Sequence, residues 1–247
     1  MDISLAKRLF LCIDHTTLTD IDTEQSVVSF CCRALEYGEP SVAAVCVYPR
    51  FVECARKTLG NSGIKVASVA GAFPHGQLPI ELKVNEVKYA VDKGADEVDM
   101  VLSRGVLLEG DYNRVRDEVA MMKEACQGHT LKVILETGEL PSPTLIRMAS
   151  ELAIEGGADF IKTSTGKIAT GATLEAAEVM LHVIADYVKI NKRTVGFKAA
   201  GGVSTPEQAA EYAKLAQKIV GEYYIDKQYF RIGTSRLTET LFSLLTN

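Results

Sequence analysis

The sequence has neither an excess of basic residues nor a run of them. Its 247 residues include 27 Lys and Arg against 32 Asp and Glu, which gives a formal net charge of −5 at pH 7. A general nucleic-acid-binding protein needs clustered lysine and arginine to neutralise phosphates. We therefore expect no nucleic-acid partner.

Long apolar stretches are also lacking. No apolar run approaches the roughly 18 residues that a membrane-spanning helix requires. The first eleven residues are too few, and too charged at Asp2, Lys7 and Arg8, for the apolar part of a secretory signal peptide. We expect a cytoplasmic protein with no membrane partner.

The spacings typical of metal sites and disulfide frameworks are absent as well. The four histidines lie far apart, no HExxH motif occurs, and the six cysteines form no CxxC pair. In a reducing cytosol such cysteines remain free thiols, and the pattern gives little support to a metal site. We expect neither a metal nor a cofactor.

Short β-rich segments alternate with segments of helical period along the whole chain. Hydrophobic residues make up 47% and charged residues 24%, as in ordinary globular proteins. The eight strand candidates are centred on Cys12–Asp14, Val42–Val47, Lys65–Ala70, Glu97–Leu102, Leu131–Leu135, Phe160–Thr163, Thr194–Lys198 and Tyr229–Ile232. The segments between them have the apolar spacing of amphipathic helices.

Several helix faces and one helix start stand out. Two of the predicted apolar faces consist of Val27, Phe30, Cys31 and Ala34, and of Ile80, Val84, Val87 and Val91. The segment Thr205–Gln208 has a threonine N-cap, a proline at the first helical position and a glutamine three residues after the cap, which predicts a capping box.

Each strand and helix unit spans roughly 30 residues, the size of a βαβ element. Eight such units without a long linker favour a TIM (β/α)₈ barrel, and we expect residues 1–247 to form one such domain. An open doubly wound sheet fits less well, because no GxGxxG motif follows the first strand.

Three strands carry charge where apolar residues are expected. Asp99 lies between Val98 and Met100 in the fourth strand, an unfavourable place for an unpaired carboxylate. Lys162 and Lys198 occupy similar places in strands six and seven. These side chains need not be functional. Asp99 could point outward and pair with a lysine of a helix, and the two strand lysines could extend along the edge of the strand so that their amines reach water.

Two lysines on adjacent barrel strands would disfavour charge on each other. Burial lowers the pKa of a lysine further, and a neutral amine attacks a carbonyl to form a Schiff base. Lys132 in strand five is a third strand lysine, which we interpret as structural because it lies near the start of its strand. Periodicity alone does not choose the nucleophile among the three.

Glycine-rich segments follow the last three strands. In this fold the loops after strands seven and eight form the recurrent phosphate site, where glycine admits backbone N–H groups to an oxyanion. The candidates for this site are Gly166, Lys167, Gly201, Gly202, Gly233 and Ser235. They indicate a phosphorylated small-molecule substrate.

Weaker candidates lie at the ends of the first strands. Asp14 and Thr16 end strand one and Cys46 lies in strand two, where they would line the same mouth. We interpret Cys46 as a small core residue, because no histidine is placed to activate it. His15 and His75 follow strand ends and either touch substrate or are loop residues.

Several segments resemble deoxyribose-phosphate aldolase, over the region from about Asp14 to Leu245. They are Val45–Phe51 (VCVYPRF), Ala72–Gly76 (AFPHG), Asp96–Val101 (DEVDMV), Leu131–Leu140 (LKVILETGEL), Phe160–Lys167 (FIKTSTGK) and Val195–Val203 (VGFKAAGGV). The resemblance implies a class I aldolase on a TIM barrel that needs no metal. It implies reversible cleavage of 2-deoxy-D-ribose 5-phosphate into acetaldehyde and D-glyceraldehyde 3-phosphate.

The same resemblance implies roles for individual residues. Lys162 matches the Schiff-base lysine, Lys198 the lysine that perturbs it, and Asp99 the carboxylate of the proton relay. The glycine loops match positions around the phosphate, while Asp14, Thr16 and Cys46 match positions lining the pocket. The resemblance also suggests a homodimer.

Three positions depart from the family pattern. Ser204 stands where many members have arginine, and Arg236 stands where several have serine. The sequence ends Leu245-Thr246-Asn247 without the terminal tyrosine of some members. We therefore expect this proton transfer either to rely on Asp99 and water or to run more slowly.

Two other functions fit the same pattern. A metal-free phosphosugar isomerase would use Asp99 as its base and need no lysine adduct. A catalytically inactive barrel would bind phosphosugars as a sensor, although an unused pair of buried lysines would be costly.

Overall fold

Parallel strands close into a barrel in the computed structural model of the chain, which describes residues 2–39, 41–191 and 193–246. Within these residues eight strands pair in chain order, and the last pairs with the first. The strands are β1 (Ile13–Thr16), β2 (Ala44–Val47), β3 (Lys65–Ala70), β4 (Glu97–Val101), β5 (Thr130–Ile134), β6 (Phe160–Lys162), β7 (Gly196–Ala200) and β8 (Phe230–Thr234). The predicted (β/α)₈ barrel is confirmed.

The helices surround the strands. The described residues form α1 (Ile3–Leu11), α2 (Glu24–Glu36), α3 (Val52–Leu59), α4 (Ile80–Asp92), α5 (Arg104–Leu108), α6 (Tyr112–Ala125), α7 (Pro143–Glu155), α8 (Leu174–Asn191), α9 (Pro206–Ile219) and α10 (Leu237–Thr246). Helix α1 precedes β1, and the short α5 lies in the connection between β4 and α6. Each of the other eight helices connects one strand to the next or follows β8.

All eight predicted strands are confirmed, with ends that differ by at most two residues. The largest shift is in β7, which begins at Gly196 because pairing with β6 starts there, with the Gly196 N–H donating to the Asp159 carbonyl. A side chain at position 196 would meet the Phe160 ring at 2.2 Å. The predicted domain range of 1–247 includes Met1, Pro40, Lys192 and Asn247, which lie outside the described residues.

Local signals in the sequence fix the start of α9. The Thr205 hydroxyl accepts a hydrogen bond from the Gln208 N–H, and the Gln208 side chain accepts one from the Thr205 N–H. These contacts satisfy backbone donors that the first turn of a helix leaves free. The predicted capping box is confirmed.

The predicted helix faces fit to different degrees. Val27, Phe30, Cys31 and Ala34 of α2 are all buried. In α4 the buried residues are Lys83, Val87 and Ala90, while Ile80, Val84 and Val91 are only partly buried. Periodicity missed Lys83 because its charge is buried by pairing: its Nζ lies 2.8 Å from Glu118 Oε1 on α6.

The main apolar core lies between the strands and the helices, not inside the barrel. Within the barrel, small apolar side chains cluster on β2 and β3: Ala44, Cys46, Ala67 and Val69. The remaining strands direct charged side chains inward. None of the helices in the described ranges is long and apolar enough to cross a membrane.

Tyr224 anchors the segment that carries β7. It is fully buried just before β8, and its hydroxyl donates a 2.7 Å hydrogen bond to the Val195 carbonyl. Val195 directly precedes β7. Burial raises the pKa of Tyr224 well above its ordinary value, so the hydroxyl keeps its proton and remains a donor.

We expect Tyr224→Phe to lower the free energy of unfolding by about 1–3 kcal/mol, because the buried Val195 carbonyl loses its donor. Urea denaturation followed by circular dichroism measures this change. Tyr223→Phe is the matched control: Tyr223 is 52% exposed, and its change should stay within about 0.5 kcal/mol. Equal effects of the two substitutions would contradict the anchoring role.

Candidate active site

A cleft of about 610 Å³ opens at the carboxyl end of the strands. It is lined by Thr16, Thr17, Leu18, Thr19, Phe30, Arg33, Lys162, Thr165, Gly166, Lys167, Ala200, Gly201, Gly202, Val203, Ser204, Gly233, Thr234, Ser235 and Arg236. This end of a (β/α)₈ barrel is where catalytic residues of the fold are found. All six predicted phosphate-site residues therefore line one cavity.

Lys162 and Lys198 both point into the barrel. They are register partners on β6 and β7. Lys162 is the last residue of β6 and lines the cleft, whereas Lys198 lies in the middle of β7 beneath it. Both side chains are almost completely buried. The alternative in which they extend outward does not occur.

Asp99 lies between three lysines. Its Oδ2 accepts hydrogen bonds from Lys162 Nζ at 2.8 Å and from Lys198 Nζ at 2.7 Å. Its Oδ1 accepts one from Lys132 Nζ at 2.7 Å. Asp99 is completely buried and points inward, opposite to the outward alternative. One carboxylate thus joins the lysines of three consecutive strands.

Lys132 is the middle residue of β5 and takes part in this cluster directly. Besides Asp99, its Nζ contacts Glu97 Oε2 at 2.6 Å and lies 3.6 Å from Asp14 Oδ2. It is completely buried. The interpretation of Lys132 as structural stays a prediction, and barrel closure brings its amine onto Asp99.

The cluster continues on the far side of Lys198. Lys198 Nζ lies 2.5 Å from Asp14 Oδ2, and the Arg231 guanidinium lies 2.6 Å from Asp14 Oδ1. Arg231 also contacts Glu97 at 2.8 Å. Every charged group therefore has an opposite charge in contact, which buried ions require.

The charges inside the barrel do not balance when all are ionised. Within the part of the chain that the structure describes, three carboxylates and four cationic side chains share the space, all buried: Asp14, Glu97, Asp99, Lys132, Lys162, Lys198 and Arg231. A net buried charge is costly. Loss of one proton from a lysine removes the excess, so the network favours one neutral lysine.

The surroundings of each lysine indicate which one is neutral. Burial lowers the pKa of Lys162, the nearby charge of Lys198 lowers it further, and Asp99 offsets only part of this. Burial acts on Lys198 too, but Asp14 and Asp99 together raise its pKa above the ordinary value. The pKa of Lys132 is likewise raised by its carboxylate partners despite burial. Lys162 is therefore the one of the three whose pKa is lowered, and it loses its proton most readily.

The carboxylates stay ionised. Burial alone would raise the pKa of Asp99, but Lys132, Lys162 and Lys198 hold it well below its ordinary value. Lys198 and Arg231 likewise lower the pKa of Asp14. At neutral pH both are acceptors of hydrogen bonds, not donors.

The weaker candidates lie at different depths. Thr16 lines the cleft and donates a hydrogen bond to the Asp14 carbonyl. Asp14 and Cys46 lie below the cleft, in the barrel interior. Burial raises the pKa of the Cys46 thiol to about 11, with a further contribution from Asp99. Cys46 therefore stays protonated at neutral pH.

The two histidines considered from the sequence do not line the cleft. His15 is a buried residue of β1. Its ring stacks on Phe30 of α2, with the ring centroids 3.8 Å apart. Burial lowers its pKa to about 4, so the ring is neutral at neutral pH. His75 is exposed in the loop after β3.

The glycines of the cleft are needed for backbone shape and space. Gly201 and Gly202 both have φ of +88°, a region that favours glycine. A Cβ at Gly233 would lie 3.0 Å from Lys198 Cε, so glycine there leaves room for that lysine. Ser235 follows Gly233 and precedes α10. Loop backbone and buried network therefore pack against each other.

Glu136 is a site residue that sequence reasoning missed. It is completely buried in a left-handed backbone conformation with φ of +55°. Its carboxylate accepts hydrogen bonds from the Thr165 N–H at 3.1 Å and from the Thr165 hydroxyl at 2.5 Å. Thr165 Oγ1 in turn accepts from the Lys167 N–H at 3.1 Å. Glu136 thereby fixes the loop that carries Gly166 and Lys167. The signal available in the sequence was its position just after β5, at the end of the barrel where the cleft lies.

Comparison with known proteins places the chain in a family. The model of the DeoC/LacD family aldolase matches residues 8–236. The chain resembles a candidate deoxyribose-phosphate aldolase from Coccidioides immitis, with 30% identity, a TM-score of 0.82 and coverage of 95% of this chain and 86% of that one.

Two further structures are similar over 99% of this chain. A candidate deoxyribose-phosphate aldolase from Toxoplasma gondii ME49 is 27% identical over 95% of its own length, with a TM-score of 0.89. The deoxyribose phosphate aldolase from Aeropyrum pernix, described as tetrameric, is 27% identical over 92% of its length, with a TM-score of 0.74. The chain belongs to the DeoC/LacD family of aldolases.

Proposed function

We propose that this aldolase is a deoxyribose-phosphate aldolase of the Schiff-base class. It cleaves 2-deoxy-D-ribose 5-phosphate reversibly into acetaldehyde and D-glyceraldehyde 3-phosphate. The observation that carries the proposal concerns Lys162, a buried lysine with a lowered pKa. Its side chain forms part of the wall of a cleft that also has cationic residues in its lining. The family match favours this aldolase over the phosphosugar isomerase.

Lys162 is the nucleophile of the reaction. Its neutral amine attacks the aldehyde carbon of the open-chain sugar, and proton transfer from nitrogen to oxygen gives a carbinolamine. Protonation of the carbinolamine hydroxyl releases water and leaves an iminium. Because the iminium accepts electrons, the C–C bond breaks to leave an enamine on Lys162, while the sugar hydroxyl loses its proton and departs as the aldehyde group of glyceraldehyde 3-phosphate.

Asp99 and Lys198 serve the proton transfers beside Lys162. Asp99 contacts both amines, and its depressed pKa keeps it a carboxylate. Lys198 holds the available proton, since its pKa is raised. Asp99 orients a water that passes protons to the carbinolamine hydroxyl and to the enamine carbon. Protonation of the enamine carbon gives a second iminium, and addition of water hydrolyses it, which releases acetaldehyde and returns Lys162 as the free amine. Positioned acid–base groups of this kind contribute about 10²–10⁴-fold in rate.

The glycine loops receive the phosphate. Gly166, Gly201, Gly202 and Gly233 line the cleft, and Ser235 lies just before α10. Backbone N–H groups near a helix start favour an anion. Phosphate bound there orients the aldehyde end of the sugar toward Lys162.

The whole chain acts as one unit in this proposal. Residues 1–247 form a single catalytic domain that works in the cytoplasm as a homodimer, with a small phosphosugar and acetaldehyde as its ligands. It requires no cofactor or metal. Light scattering during gel filtration measures the oligomer: a dimer supports this assignment, and a tetramer like that described for the Aeropyrum pernix protein overturns it.

We expect borohydride reduction in the presence of acetaldehyde to leave an ethyl group on the peptide that contains Lys162. The reduced Schiff base is stable, so mass spectrometry of the digest locates it. Lys162→Ala should abolish both this adduct and turnover. An adduct on Lys198 or Lys132 would keep the aldolase but overturn the assignment of the nucleophile.

Lys65→Ala is the matched control for the trapping experiment. Lys65 is also a strand lysine, but it is exposed at the opposite end of the barrel. The adduct and its yield should be unchanged in this variant. Folded wild-type protein that gives no adduct would overturn the proposed mechanism.

We expect Lys198→Leu to shift the acidic limb of the pH profile of kcat/KM to higher pH. Lys198 lowers the pKa of Lys162 and shares Asp99 with it; its removal raises the pKa of the nucleophile, so the neutral amine forms only at higher pH. The rate at neutral pH should fall accordingly.

Lys198→Arg tests whether charge is responsible, because it restores a cation beside Asp14 and Asp99. The acidic limb of the Lys198→Arg profile should shift less from the wild-type position than the acidic limb of the Lys198→Leu profile. Circular dichroism establishes that both variants are folded. An acidic limb that stays in place in folded Lys198→Leu would rule out the electrostatic pairing of the lysines.

A further inference from the structure

Two arginines line the cleft, and neither has a carboxylate partner among the described residues. Arg33 comes from the last turn of α2, and Arg236 lies directly before α10. The arginine ion pairs found among the described residues include neither of them. Their positive charge is therefore open to a ligand in the cleft.

Arg33 is held in place by a stack that joins α2 to α10. Its guanidinium lies 5.6 Å from the centre of the Phe30 ring, and Phe30 stacks on His15 with an interplanar angle of 6°. His15 Nδ1 is 2.8 Å from the Thr238 hydroxyl of α10. Because β1 and β8 are also paired, both arginines approach the cleft from the same side.

The cleft is positive although the chain carries a net charge of −5. Among the described residues that line it, none is a carboxylate, and three are cationic besides Lys162, whose pKa is lowered: Arg33, Lys167 and Arg236. His15 adds no charge, since burial, together with the nearby Arg33, lowers its pKa to about 4. Ser204, on the β7 side, is neutral and bonded to Gln208.

We propose that Arg33 determines the specificity of this aldolase for phosphorylated substrates. Arg33 binds the substrate phosphate from the α2 side of the cleft, together with Arg236. A guanidinium can donate two parallel hydrogen bonds to phosphate oxygens. The proposal rests on the proposed function, because it assumes that the phosphosugar occupies this cleft. It assigns a recognition role to a helix residue outside the glycine loops.

Steady-state kinetics of Arg33→Gln test the proposal with two substrates. With 2-deoxyribose 5-phosphate, KM should rise about tenfold while kcat changes less than about twofold, because a charge-assisted contact to the phosphate is lost. With unphosphorylated 2-deoxyribose, kcat/KM should not change. Arg33→Lys should recover part of the lost affinity, because lysine keeps the positive charge but lacks the two parallel N–H donors of the guanidinium.

Arg50→Gln is the matched control. Arg50 is also an exposed arginine over a phenylalanine ring, 4.7 Å from the centre of Phe51, in the loop after β2. It does not line the cleft, so both substrates should behave as with the wild type. The proposal would be overturned if Arg33→Gln and Arg50→Gln lost kcat/KM equally. It would also be overturned if Arg33→Gln lost kcat/KM equally with both substrates.

Inorganic phosphate separates this proposal from the proposed function. Phosphate that binds the native state raises Tm, and this measurement needs no turnover. The Tm increase should be present in wild type and Arg50→Gln and smaller in Arg33→Gln. An increase of the same size in Arg33→Gln would overturn the role of Arg33, whereas a wild type that binds phosphate but does not cleave the sugar would overturn only the proposed function.

Discussion

The contact of Asp99 with three lysines is the interaction on which the barrel interior depends. TIM barrels usually fill this space with branched apolar side chains; here β4, β5, β6 and β7 direct charges into it. Burying ions costs several kcal/mol each unless partners surround them. Asp99 supplies that partner to three amines at once, and Asp14 and Glu97 complete the pairing toward Arg231.

The same network that holds the strands together also prepares the chemistry. With three carboxylates against four cations, one lysine gains by losing its proton. Lys162 is the lysine whose pKa is lowered, because burial disfavours its charge and its single carboxylate contact among the described residues, Asp99, is shared with Lys198 and Lys132. The lowered pKa of Lys162 is thus a consequence of charge balance in a buried space, not of one neighbour alone.

The cleft above the network is built on separate supports. Glu136 fixes the loop after β6 through Thr165, and the His15 stack joins α2 to α10. Both supports use buried groups outside the ion cluster. A residue such as Arg33 in the cleft wall can therefore change substrate recognition without disturbing the charges that set the pKa of Lys162.

The sequence by itself determined the eight units, the capping box at Thr205 and the placement of Lys162 and Lys198 on neighbouring strands, because these follow from local periodicity and residue chemistry. Only the tertiary structure decided that Lys132 reaches Asp99, that Glu136 holds Thr165 and that Arg33 lines the cleft. These contacts join residues far apart in the chain, and barrel closure sets their distances. The pKa of each lysine also depends on every buried charge around it, so no local pattern can assign it.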